Sequence, residues 1–355
     1  MDKSAIKKFA TWARVQLKNE VQKQAAVMGI TTAAIQEPLP ASTREILYFD
    51  QGTGTPSALT GSTIRLREKV VEDLKQRMLS TDYATAFEAF VETMAATWFN
   101  RLAAVRYMEV NGYISDGLWI LGSQVPGKID PDLVTTPLDS NLEFTADEKR
   151  QLLTWKENQQ LDEVFNFLLL KRCHQLADIL PGLFEKSGDV SDFFFHSSFI
   201  DKEGVVYHLT HDIPSEDWQN QVQIIGWLYQ YYNAELKDQV YAGLKKGQKV
   251  TKEKIPAATQ LFTPDWIVRY MVENSLGRIW IQGHISDPSQ EKDMAEKFGW
   301  KYYLPEAQQE PEVEEKLKTI RAEYAKLRPE DLSVLEMAIS VLIKEFSAPQ
   351  TLKIA

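Results

Sequence analysis

Lys3-Ser-Ala-Ile-Lys-Lys-Phe-Ala-Thr-Trp-Ala-Arg-Val-Gln-Leu-Lys-Asn-Glu-Val-Gln-Lys-Gln-Ala-Ala-Val-Met28 is the stretch whose reading sets the fold class. Within it Ile6, Phe9, Ala10, Ala13, Leu17, Val21 and Met28 recur at three- and four-residue spacing, the period of a helix with one buried face. Gly29 follows, a residue suited to the left-handed turn that ends a helix. The same patterning predicts helices over Thr63–Leu79, Tyr83–Glu109, Ala146–Ile179, Pro214–Ala242, Pro264–Ile281 and Glu312–Lys326. Residues 30–62 read as an extended connection rich in Thr, Pro, Gly and Ser, and Ser115–Asn141 as an irregular loop. Short strands are expected within Asp192–Leu209. No alternation of strand and helix runs along the chain, so a doubly wound sheet is not expected. The fold class is mainly α-helical with a few short strands.

The chain has 355 residues, enough for two or three domains at about 150 residues each. Its 38 aromatic residues exclude a disordered chain. Cys173 is the only cysteine, which rules out an internal disulfide and a cysteine-based zinc site and points to a reducing, cytoplasmic setting. No stretch is apolar and long enough to span a bilayer, and no signal peptide is seen. A net charge of −10 argues against a general nucleic-acid coat protein. A local basic patch stays open on the first helix, where Lys3, Lys7, Lys8, Arg14, Lys18 and Lys23 outnumber Asp2 and Glu20. The plainer reading of that run is a solvated helix face.

Other chemistry-bearing residues read as structural. Cys173 and His174 are neighbours on a helix and so face different ways, with Cys173 set among leucines. His208, His211 and Asp212 lack further ligands at metal-binding spacing. Gly52 and Gly54 form a lone G-x-G without the strand, helix and third glycine of a dinucleotide site. Glycine is scarce throughout, 17 residues against a usual share of about 7 %.

Three longer stretches carry a resemblance. They are Ile255-Pro-Ala-Ala-Thr-Gln-Leu-Phe-Thr-Pro-Asp-Trp-Ile-Val-Arg-Tyr-Met-Val-Glu-Asn-Ser-Leu-Gly-Arg278, Trp98-Phe-Asn-Arg-Leu-Ala-Ala-Val-Arg-Tyr-Met-Glu-Val-Asn-Gly-Tyr113 and Ile224-Ile-Gly-Trp-Leu-Tyr-Gln-Tyr-Tyr232. With the opening Met1–Ala10, they resemble the N-terminal region of PglX-type adenine-specific DNA methyltransferases of BREX phage-defence systems. The resemblance runs in order from residue 1 to about Leu335. It implies four parts: 1–62, a basic helix and connection; 63–247, a helical N-terminal domain; 248–335, the start of the methyltransferase region; and 336–355, a divergent tail. It also implies S-adenosylmethionine as cofactor, double-stranded DNA and other BREX subunits as partners, and no membrane.

By that resemblance Phe262, Thr263 and Pro264 are the cofactor-facing F-T-P motif. Thr263 is expected at the N-cap and Pro264 in the first turn, where its missing N–H costs nothing. The helix N-terminus would suit a carboxylate, and Phe262 would give an apolar wall.

Two further parts of the family's chemistry are absent from this sequence. No glycine follows Gly299, so the glycine-rich cofactor loop expected after Leu327–Leu335 is missing, and neither N-P-P nor D-P-P occurs anywhere. In place of that loop Leu335, Ala338, Ile339, Leu342 and Phe346 fall at helical spacing, and the tail reads as the sequel of a truncation, frame change or gene rearrangement. The expected function is therefore the N-terminal part of such an enzyme, not catalytic alone, with no catalytic residue and no metal ligand. The alternatives are a non-catalytic DNA- or protein-binding module and an inert truncation product.

Overall fold

The computed structural model describes residues 1–52, 54–184, 188, 190–250, 255–259, 262–307 and 309–326. It is mainly helical, with two short antiparallel strands among the described residues. The chain divides into two compact units, Met1–Leu261 and Phe262 onward.

The first unit begins with α1 (Lys3–Val27), whose cap Asp2 accepts hydrogen bonds from the backbone N–H groups of Ser4 and Ala5. The strands β1 (Ile46–Phe49) and β2 (Ser57–Thr60) follow, paired from Ile46 with Thr60 to Phe49 with Ser57. They lie inside the stretch read as an extended connection, and Gly52 and Gly54 sit in the turn between them with positive φ. Gly29 ends α1 at φ +69°, where a Cβ would come within 2.2 Å of the Phe49 ring. A left-handed backbone and an aromatic ring in contact leave room for glycine only.

Helices α2 (Ser62–Met78) and α3 (Tyr83–Val110) come next. Helix α3 buries residues on every side, as a helix at the centre of a bundle must. The loop after it holds the short helix α4 (Asp132–Thr135) and a 3-10 turn at Pro137–Asp139. The expected helix Ala146–Ile179 is two, α5 (Ala146–Glu157) and α6 (Leu161–Leu176), parted at Gln159 with φ 59°. Thr145 and Glu148 form a capping box at the start of α5.

Asp192–Leu209 holds no strand. Val190–Phe194 is a 3-10 turn and Val205–His211 is helix α7. The phenylalanines there do not alternate between two faces as a strand requires. Phe194 packs edge-on against Phe90 of α3, and Phe195 stacks on Trp98 at 4.1 Å.

The expected helix Pro214–Ala242 is three: α8 (Ser215–Trp218), α9 (Gln223–Tyr232) and α10 (Ala234–Lys245). The first break falls at Asn220, φ 54°, where Asn111 grips the chain through its side chain. Asn111 accepts from the Asn220 N–H at 2.6 Å and donates to the Trp218 carbonyl at 2.9 Å. Helix α11 (Ile255–Thr259) packs on α10.

The core of this unit is α1 laid against α3 and α9. Phe9 stacks on Phe99, Phe99 meets Tyr232 at 4.5 Å, and Ile6, Ala13, Leu17 and Leu228 fill the space between, all buried. Arg14 is buried in the same seam. Its guanidinium donates to Glu92 of α3 at 2.7 and 3.0 Å and to Glu235 of α10 at 3.1 Å.

The second unit contains α12 (Asp265–Glu273), α13 (Leu276–His284), α14 (Glu291–Lys297) and α15 (Pro311–Tyr324). The expected helix Pro264–Ile281 is thus broken at Asn274-Ser275. Asn274 holds the break by donating to the Tyr302 carbonyl at 2.7 Å and accepting from the Leu304 N–H at 2.8 Å. Ile281, Ala295, Trp300 and Tyr303 form a small core. Gly283 lets α13 approach α15 closely, since a Cβ there would lie 2.8–2.9 Å from the backbone of Tyr324 and Ala325. The expected tail helix and residues 251–254 lie outside the described residues.

Candidate cofactor-facing helix start

Phe262, Thr263 and Pro264 form the extended entry to α12. Phe262 and Pro264 are half-buried and Thr263 is exposed. The cap position belongs to Pro264 (φ −54°, ψ 139°) and not to Thr263, and no side chain caps the helix. The reason lies in the backbone: the Pro264 carbonyl already accepts from Ile267 N–H at 2.9 Å and Val268 N–H at 3.3 Å, which is the role of a cap residue. The Thr263 side chain is therefore not spent on capping.

Asp265 occupies the first turn and pairs with Arg269 one turn on, at 2.8 Å. A carboxylate there already meets the positive end of the helix. A second carboxylate, such as that of an amino-acid cofactor, would have to approach beside it and against its charge. The three residues fit one wall of a S-adenosylmethionine site: an apolar ring, a hydroxyl and a helix N-terminus. They supply no general base and no nucleophile.

The other sequence candidates are each occupied by a local partner. The Cys173 thiol is buried, and burial pushes its pKa up to about 12, so it is no nucleophile. His174 turns to Asp192, at 2.8 Å. His208 pairs with Asp212 at 2.8 Å and packs on Trp12, whereas His211 stacks on Tyr207 at 3.9 Å. The two imidazoles do not converge, and among the described residues no group of three His, Cys, Asp or Glu side chains could hold a metal.

The basic run of α1 is only partly a solvated face. Arg14 is spent inside the bundle, and Lys18 pairs with Glu88 and with Glu92. Lys3, Lys7, Lys8 and Lys23 remain exposed, with Lys3 lying 4.1 Å over the Trp227 ring and Lys23 beside Glu20 at 3.7 Å. An open cleft of about 220 Å³ is lined by Pro137, Leu138, Lys149, Leu152 and Lys156, remote in sequence from the F-T-P motif. It is smaller than the ~300 Å³ at which ligand pockets usually begin.

Sequence reading missed the buried ion pairs of the first unit. Arg106 pairs with Glu109 at 2.8 Å, and the second Glu109 oxygen accepts from the Ile120 and Leu121 N–H groups. Arg172 donates to Asp116 at 2.7 Å and to Asn141, which ties down both ends of the loop 115–141. Arginines set inside apolar helices were the available signal.

No protein-family model matches the chain. Over nearly its whole length, however, it is similar to adenine-specific methyltransferases. It is 37 % identical over 353 residues to the adenine-specific methyltransferase PglX of Lacticaseibacillus casei (strain Zhang), covering 96 % of this chain. It is 35 % identical over 344 residues to the adenine-specific methyltransferase BrxX of Escherichia coli O9:H4 (strain HS), covering 95 % of this chain. The match takes in only 28 % and 26 % of those relatives, so the chain spans about a quarter of their length. Among the described residues no helix is long and apolar enough to cross a membrane.

Proposed function

We propose that this chain is the N-terminal part of a S-adenosylmethionine-dependent, adenine-specific DNA methyltransferase of BREX phage defence, and that it does not catalyse methyl transfer alone. The observation that carries this reading is the 37 % identity sustained over 96 % of the chain. Its limit is set by chemistry the sequence lacks: no glycine follows Gly299, and no N-P-P or D-P-P occurs. Without a glycine-rich loop the backbone cannot approach the cofactor closely. Without the second motif nothing holds the amine of a flipped adenine.

In the intact enzyme Phe262, Thr263 and Pro264 would face the cofactor, and double-stranded DNA would be the substrate. Other BREX subunits are the further partners, and the setting is cytoplasmic. One wall does not make a pocket, so the chain alone binds S-adenosylmethionine weakly. Calorimetric titration should show no affinity at micromolar level; a micromolar dissociation constant would overturn that statement. The reading as a whole is tested by a chimera in which this chain replaces the matched part of the L. casei protein. DNA from cells expressing it should carry methylated adenine, and a folded chimera without methylation would overturn the assignment.

A further inference from the structure

Asn111-Gly112 is the one Asn-Gly pair of the sequence, and it stands where α3 ends. The Asn111 side chain makes three hydrogen bonds there. Its amide nitrogen donates to the Tyr107 carbonyl at 2.8 Å and to the Trp218 carbonyl at 2.9 Å, and its oxygen accepts from the Asn220 N–H at 2.6 Å. The grip ties the end of α3 to the break between α8 and α9, where Asn220 holds φ 54°. It needs two donors and an acceptor on one short side chain, which an amide supplies and a carboxylate does not. Asn274 makes the same three bonds at the end of α12, with Tyr270, Tyr302 and Leu304, but serine follows it. A glycine nitrogen has no side chain beside it to block an approach, so Asn111 is the more reactive of the two.

We propose that Asn111 is a deamidation site restrained by its own clamp, and that its conversion undoes the clamp irreversibly. In the reaction the Gly112 nitrogen bonds to the side-chain carbonyl carbon of Asn111. The bond from that carbon to the amide nitrogen breaks, and ammonia leaves with the Gly112 proton. Water then opens the cyclic imide at either carbonyl, giving aspartate or isoaspartate. The folded chain opposes the first step twice. At ψ 8° the Gly112 nitrogen is turned away from the Asn111 side chain, and its N–H donates to the Glu109 carbonyl at 3.3 Å. The bonds to Tyr107 and Trp218 also fix the amide that would have to leave. Local opening of the clamp removes both obstacles. The product cannot close it again. Aspartate has no proton for the Tyr107 and Trp218 carbonyls, which are left without that donor and face a negative charge. That charge also sits at the C-terminal end of α3, where the helix dipole opposes it. Isoaspartate lengthens the main chain itself at this point.

The test incubates the full chain in mildly alkaline buffer, folded and in denaturing urea, and follows Asn111 by peptide mass mapping. The folded chain should convert at least about tenfold more slowly than the unfolded one, by a ratio set by how seldom the clamp opens. Equal rates would overturn the restraint, and a folded chain that never converts would overturn the site. In urea Asn111 should convert before Asn274, and the reverse order would overturn the choice of the glycine-flanked position. Chain converted in urea is then refolded beside an unconverted control, and hydrogen exchange is read at the Asn220 N–H. Exchange there should be at least about tenfold faster in the converted chain. Equal exchange would overturn the loss of the clamp. Asn111→Asp, produced directly, gives the same reading where the converted chain does not refold.

Discussion

Two tryptophans of one chain are treated in opposite ways. Trp98, on α3 of the first unit, is fully buried, stacked on Phe195, and donates its Nε1–H to the Ser191 carbonyl at 2.8 Å. Trp266, on α12 of the second unit, stands more than half exposed. The contrast extends to their surroundings. In the first unit α1, α3 and α9 cover one another's apolar faces, and even the cations Arg14, Arg106 and Arg172 are drawn inside and paired. In the second unit a core of few residues leaves the α12 aromatics facing out. The first region keeps every one of its tryptophans buried or half-buried; the second leaves Trp266 on the surface.

The sharpest way to break this comparison is to truncate both tryptophans. Trp98→Ala should cost about 3–5 kcal/mol, from lost burial and the cavity left behind. Urea unfolding followed by circular dichroism measures it, and a cost under about 1 kcal/mol would deny the packed core. Next comes Gly283→Ala, which drives a methyl into the backbone of α15. Overpacking costs about 1–3 kcal/mol, partly offset by ~1 kcal/mol of better helix propensity, so the net loss should appear in the melting of the second unit.

A smaller effect follows from Asp116. Burial alone would raise its pKa, but the Arg172 guanidinium and the N–H groups of Asn141 and Leu118 hold it below the ordinary value of 3.8. A depressed carboxylate contributes stability above its unfolded pKa and loses it as pH falls through the folded value. The stability gap between wild type and Asp116→Asn should therefore be full at neutral pH and close below about pH 4. A gap unchanged down to pH 2 would contradict the pairing. The smallest effect belongs to Trp266→Lys, which should change the stability of the isolated chain by no more than about 0.5 kcal/mol.

Much of the fold was legible where apolar spacing was regular and a strong terminator followed. Helix α1 before Gly29 and α3 before Asn111-Gly112 are such cases. The breaks at Gln159, Asn220 and Asn274 were not, because no glycine or proline marks them. The Asn220 break is held by Asn111, 109 residues away, and the Asn274 break by bonds to 302 and 304. Long-range side-chain clamps leave no periodic trace. The strands were expected in the wrong stretch because Phe193, Phe194 and Phe195 suggest a strand by composition, although the packing of Phe194 and Phe195 onto α3 needs only a turn. The partners of Arg14 lie 78 and 221 residues away, so its burial could not be read from the charge run of α1. Phe262–Pro264 gained meaning only from the long stretch around them, since three residues before a helix say little by themselves. The exposure of Trp266 had no sequence signal, for its spacing is that of any amphipathic helix.

The central claim is that this chain holds one wall of a methyltransferase site without the loop and base-holding motif that catalysis needs. The most direct test incubates the full chain with methyl-labelled S-adenosylmethionine and double-stranded DNA. The account predicts no label in adenine above a protein-free control. Transfer of label to adenine by the chain alone would contradict it.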